Sequence, residues 1–188
     1  MMSLTNQIVY KQHLYFVMMR IVTIIGDTKV GKSALCQQWS SGSMSSSYMS
    51  TITVDHYTLP ELTLHDTPSD ARFHTKLDVY LQSSDVFVLV GNKDLANDHW
   101  WARIQPMVPS ASWVFVWTGK NACPERLKWA AVRNIPVVRV NLSDTEQVKD
   151  ALRQLKDVTR KHAPRPDRVP LGYYEYFVGE ARLWVPCI

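Results

Sequence analysis

The stretch Gly26–Ser33 reads GDTKVGKS. It matches the pattern GxxxxGK[ST] at Gly26, Gly31, Lys32 and Ser33. Glycines let a backbone wrap phosphates, so that successive N–H groups of Asp27, Thr28, Lys29, Val30 and Ala34 point inward. Lys32 is suited to neutralising the β- and γ-phosphates, and the Ser33 hydroxyl to ligating Mg²⁺. The pattern needs a strand before it and a helix after it. A helix N-terminus there adds a dipole that favours anions.

The flanking sequence provides both. Arg20–Gly26, RIVTIIG, is a β-branched apolar run that reads as a buried strand. Ala34 to Trp39 reads as a helix, followed by a Ser-rich polar loop. TVDHYTL and LTLHD alternate as two short strands, with Pro60 and Glu61 at their turn. Phe73, Leu77, Tyr80 and Leu81 have helical spacing. DVFVLVG (85–91), SWVFVWTG and IPVVRVNL read as further strands. Trp100, Trp101 and Ile104 mark a helix ending before Pro106, and Pro124 opens another through about Val132. Trp100 and Trp101 cannot both face the core squarely, so one of them is expected outward. SDTE at Ser143–Glu146 reads as a capping box for a last helix carrying Val148, Ala151, Leu152, Leu155 and Val158 on one face. The order β-α-β-β-α-β-α-β-α-β-α predicts a three-layer α/β fold around a six-stranded, mostly parallel sheet with one early antiparallel strand.

With these motifs in order, the chain resembles the Ras superfamily of small GTPases, and its Rab branch most closely. RIVTIIGDTKVGKSALCQQW resembles a Rab first strand and phosphate loop. Tyr48–His56, YMSTITVDH, resembles the Rab switch I sequence YISTIGVDF. Ser33 and Thr51 stand 18 residues apart, the family's separation of its two Mg²⁺-coordinating hydroxyls. Leu62–Thr75, LTLHDTPSDARFHT, resembles switch II, LQIWDTAGQERFRT. The resemblance covers about residues 18–162. It implies a P-loop domain that binds GTP or GDP with Mg²⁺, with Thr51 closing on the metal and γ-phosphate and Asp66 holding the metal through water.

Other positions depart from that pattern. Ser69 replaces the glycine of DxxG; it keeps the N–H that meets the γ-phosphate but loses the glycine's access to positive φ. Pro68 beside it fixes one more angle. Asp70 replaces the water-orienting Gln. A carboxylate cannot donate to a transferring phosphoryl group, so slow or absent hydrolysis is expected. GNKD at Gly91–Asp94 imitates the base-binding NKxD motif, but it lacks the spacer residue and follows the wrong strand. At the end of the next strand one register, Gly119–Ala122, keeps only Lys120, and another, Thr118–Asn121, places Asn121 near the Asp position. Neither supplies the carboxylate that reads guanine. Asn141–Ser143 stands where the family offers backbone N–H groups to the base. Met44 stands where an aromatic usually flanks it; its thioether still packs on rings. The interswitch hairpin is shorter than in Rab proteins.

The 188 residues suffice for one domain with a full core. They divide into an extension (1–17), the Ras-like domain (18–162) and a Pro- and aromatic-rich tail (163–188). A net charge of +4, with the basic residues scattered, gives no ground for a nucleic-acid partner. Cys36, Cys123 and Cys187 have no metal spacing, which fits a reducing intracellular compartment. No run reaches 18 apolar residues, and the first 19 residues make a poor signal peptide. Cys187 is not fourth from the end, so no prenyl anchor is expected. The tail's Tyr173, Tyr174, Tyr176, Phe177, Leu183 and Trp184 either fold back on the domain or dock a partner. Protein partners are otherwise expected at Tyr48–Tyr57 and Leu62–His65. The readings left open are a GTP-dependent switch and a scaffold that binds partners whatever its nucleotide. A nucleoside monophosphate kinase is a poor fit, because no Arg-rich lid is present and STITVD and DTPSDARF have no role in one.

Overall fold

In the computed structural model the described residues are 19–44, 49–92, 98–119, 124–161, 173–178 and 181–186. Apolar runs become strands and the polar-flanked periodic segments become helices. The strands are β1 (Arg20–Gly26), β2 (Asp55–Thr58), β3 (Leu62–Asp66), β4 (Val86–Gly91), β5 (Ser112–Trp117) and β6 (Val137–Arg139). The helices are α1 (Lys32–Ser41), α2 (Leu77–Gln82), α3 (Asp98–Ile104), α4 (Pro124–Val132) and α5 (Thr145–Lys161), with a 3₁₀ helix (Ala71–Lys76) running directly into α2.

The strand order is β2-β3-β1-β4-β5-β6, and only β2 runs antiparallel to its neighbour. The chain steps from β1 to β3 on one side and returns to β4 on the other. This reversal opens a crevice at the carboxyl end of β1, where ligands bind in open α/β sheets. The phosphate motif lies in that crevice, between β1 and α1.

Two apolar cores cover the sheet faces. One joins Val22, Ile24, Leu64, Val88 and Val114 to Leu35 and Trp39 of α1 and Val148 and Leu155 of α5. The Trp39 Nε1–H donates to the Val148 carbonyl at 2.9 Å, which ties the two helices together. The other core packs Phe87, Leu89 and Phe115 against Leu77, Leu81, Trp100 and Ile104.

Several elements differ from expectation. Phe73 has helical spacing but is 38% exposed, because the 3₁₀ turn rotates it away from the core that Leu77 and Leu81 enter. Trp100 is buried, while half-buried Trp101 lies against Trp113 and Trp129, with Arg133 over the Trp101 and Trp129 rings. Neither ring therefore faces solvent fully. The cap of α5 is Asp144 and not Ser143. Asp144 Oδ1 accepts from the Glu146 and Gln147 amides, and Gln147 Nε2 donates back to Asp144. Residues 173–186 contain two further strands, β7 (Tyr173–Val178) and β8 (Ala181–Pro186). They pair antiparallel as a separate two-stranded sheet, which the tail's composition did not suggest.

Candidate functional site

The phosphate loop is built by backbone conformations that few residues accept. Gly26 has φ +141°, and a Cβ there would lie 2.3 Å from the Val90 carbonyl oxygen. Gly31 has φ +100°, and a Cβ there would lie 2.5 Å from Leu142 Cδ1. Lys29 also adopts positive φ, at 62°. The loop is anchored from two sides. Thr118 Oγ1 donates to the Val30 carbonyl at 2.7 Å, and Asn92 Nδ2 donates to the Lys29 carbonyl at 3.0 Å.

Lys32 opens α1 and curls back under the loop. Its Nζ donates to the Gly26 and Asp27 carbonyls at 3.0 and 2.8 Å. Burial lowers its pKa to about 8, against the opposing pull of Asp66 and Asp27. Asp27 also faces His99 of α3, with Nε2 3.7 Å away.

Ser33, Thr51 and Asp66 meet beside this lysine. Ser33 Oγ lies 3.1 Å from Thr51 Oγ1, and Thr51 Oγ1 donates to Asp66 Oδ2 at 3.5 Å. Asp66 is fully buried at the end of β3. Burial raises its pKa to about 6, although the Ser33 hydroxyl and Lys32 favour the charged form. Its other oxygen, Oδ1, is buried with no hydrogen-bond partner. A buried carboxylate oxygen without a donor is costly, and a hard cation would satisfy it. Two hydroxyls and one carboxylate fit Mg²⁺, which keeps waters and takes ligand phosphates for its remaining positions. Among the described residues no three His, Cys, Asp or Glu side chains form an alternative metal cage.

A cavity of about 420 Å³ opens over these groups. Lys29, Lys32, Ser33 and Ala34 wall it on the loop side, and Thr51, Thr67 and Ser69 on the other. The Ser69 hydroxyl lies 3.0 Å from that of Thr28, joining the segment after β3 to the phosphate loop.

Asp70 stands apart from the metal cluster. It caps the 3₁₀ helix by accepting from the Arg72 amide at 3.0 Å. It also holds the Arg72 guanidinium, at 2.6 Å from Nη2. The Arg72 side chain, followed by its backbone amide, pulls the Asp70 pKa down to about 2. The carboxylate is thus committed to a cap and an ion pair, a role its motif position did not announce.

The remaining expected residues are placed less centrally. Val30 is buried in the core and contributes its carbonyl to Thr118. Met44 is 47% exposed beyond the end of α1 and does not line the cavity. Lys120 and Asn121 lie outside the described residues, as do Tyr48, Lys93 and Asp94. Leu62, Leu64 and His65 on β3 are buried. Thr118, Asn92 and Leu142 lie in segments that the sequence singled out for base binding or as its imitation, but their contacts with the phosphate loop, at Val30, Lys29 and Gly31, were missed.

No helix among the described residues is long and apolar enough to cross a membrane. No curated protein sequence matches the chain. Residues 21–121, more than half of the chain, match a family profile described as "Ras of Complex, Roc, domain of DAPkinase". The match covers the phosphate loop, both switch segments and the Thr118 anchor. The sheet order and the Lys32–Ser33–Thr51–Asp66 cluster agree with it, and the chain belongs to the Roc family of Ras-like GTP-binding domains.

Proposed function

We propose that this domain is a Mg²⁺-dependent guanine-nucleotide switch with slow or absent hydrolysis, and that it recruits protein partners. The observation that carries the reading is the unpartnered Asp66 Oδ1 beside Ser33, Thr51 and Lys32. That arrangement leaves a buried carboxylate oxygen that a cation would satisfy, next to an intact phosphate-loop motif. Mg²⁺, when bound, neutralises charge on the phosphate oxygens. Lys32 adds a second positive charge, and Ser33 and Thr51 supply hydroxyl ligands.

Asp70 supports weak catalysis. It is held by Arg72 and has no proton to donate to a developing phosphoryl charge. Base recognition rests on the β5 end. The Thr118 anchor to Val30 favours the register beginning at Thr118, with Asn121 three residues on. An amide there accepts one guanine N–H where a carboxylate accepts two, so discrimination against other bases is modest. The Rab-like wording of switch I supports partner capture through Met49 and Ile52, both well exposed. Labelled GTP, GDP, ATP and XTP are titrated with and without Mg²⁺, using wild type and Lys32→Ala. Mg²⁺-enhanced binding that Lys32→Ala weakens at least tenfold is expected. Binding indifferent to both would overturn the reading.

A further inference from the structure

His74, on the 3₁₀ helix, bridges two elements that the nucleotide chemistry does not require to touch. Its Nδ1 lies 3.0 Å from Nη1 of Arg103 in α3. Its Nε2 lies 3.2 Å from the Pro68 carbonyl oxygen. A guanidinium only donates and a carbonyl only accepts. Both contacts are therefore satisfied by a single protonation state, the neutral ring with its hydrogen on Nε2. A protonated ring would turn an N–H toward Arg103. Arg103 is fixed in turn by Asp78 of α2, with Oδ1 2.6 Å from Nη2. The Trp100 ring packs on the histidine at 5.3 Å. This chain of contacts ends at Pro68, whose neighbour Ser69 walls the phosphate cavity and touches Thr28.

We propose that His74 is a positioning residue, a neutral latch that ties the Pro68 carbonyl to Arg103 of α3 and so holds Ser69 at the mouth of the phosphate cavity. The positioning role rests on the nucleotide reading above; the latch itself does not. The charged groups that face the ring are Arg103 and His99 from α3 and Asp70 from the preceding loop, with Asp78 acting through Arg103. Burial first, and Arg103 second, lower the His74 pKa; the Pro68 carbonyl and Asp70 oppose them. A histidine depressed in the fold stabilises it fully above the unfolded value of about 6.5. That contribution is lost as pH falls through that value toward the folded one.

The test uses the full chain as wild type, His74→Ala and His74→Gln. Glutamine accepts through Oε1, donates through Nε2 and does not titrate. Hydrogen–deuterium exchange of residues 67–73 is followed without nucleotide, and the GTP-to-GDP affinity ratio is measured separately, over a series from about pH 7.5 down to about pH 4.5. At the higher pH, His74→Ala is expected to raise exchange by about tenfold and to lower the affinity ratio, whereas His74→Gln keeps both. Asp66 titrates in every variant, so the readout is the difference from His74→Gln: as pH falls below about 6.5, wild type is expected to depart from His74→Gln toward the alanine variant. Equal exchange in wild type and His74→Ala at the higher pH, or a pH response no larger in wild type than in His74→Gln, would overturn the latch. Raised exchange with an unchanged ratio would overturn the positioning role. Should wild type bind neither nucleotide while exchange behaves as expected, the latch stands and the nucleotide reading fails.

Discussion

Asp66 and Asp70 are both carboxylates near the same cavity, and their surroundings give them opposite tasks. Asp66 is buried with one oxygen unpartnered, so the metal-free fold bears the cost of its charge. Asp66→Asn should therefore raise the stability of the nucleotide-free protein by about 1–2 kcal/mol, a Tm gain of a few degrees. The same change should abolish the Mg²⁺ enhancement of nucleotide binding. Thermal melts with and without Mg²⁺-nucleotide read both effects, and a destabilised, still Mg²⁺-responsive variant would contradict the assignment. Asp70 is exposed and fastened to Arg72. Restoring glutamine at this position removes a charged cap without freeing Pro68 and Ser69. Single-turnover hydrolysis should thus stay near the unaided level, on the order of 10⁻⁴ s⁻¹, in both wild type and Asp70→Gln. A rise of a hundredfold in the variant would show that the carboxylate alone blocks the chemistry.

At the scale of elements, the phosphate loop is constrained by what presses on it. A side chain at Gly26 meets backbone, the Val90 carbonyl, whereas one at Gly31 meets the movable end of Leu142. Both Gly→Ala changes should cost about 2–4 kcal/mol from backbone strain and overpacking together. Leu142→Ala should recover about 1–2 kcal/mol of the Gly31→Ala loss and none of the Gly26→Ala loss. Denaturant melts of the two double-mutant cycles measure this, and equal coupling at both glycines would refute the contact. The order of strands and helices was legible because each apolar run alternates with a 3.6-residue pattern, and the three expected metal-ligand side chains, Ser33, Thr51 and Asp66, all sit at motif positions. Contacts between segments distant in sequence were not legible. Nothing in Thr118 announces that its hydroxyl reaches Val30, 88 residues away. The shift of the α5 cap from Ser143 to Asp144 has a similar origin. Both residues can cap, and Gln147 decides between them by bonding Asp144 and the Asn141 amide together.

For the whole molecule, the proposed partner capture is expected to follow the nucleotide. The exposed apolar side chains Met49, Ile52 and Phe73 flank the cavity segments, so occupancy of the cavity has a direct route to this surface. Residues Tyr173–Val178 and Ala181–Pro186 pair as a separate two-stranded sheet. Lys32→Asn should weaken nucleotide binding by removing the charge that opposes the phosphates, and it also removes most of the buried stem under the loop. A shorter amide also leaves the Gly26 and Asp27 carbonyls less well met, so folding is checked by circular dichroism. In a switch, Lys32→Asn weakens capture and a chain ending before Leu171 retains it. In a nucleotide-independent scaffold acting through the same face, both variants retain it. The expected result in pull-downs from matched lysates is the first pattern, with about a tenfold loss for Lys32→Asn. Capture lost only on truncation would move the interaction to residues 171–188 and leave the nucleotide site without a part in it.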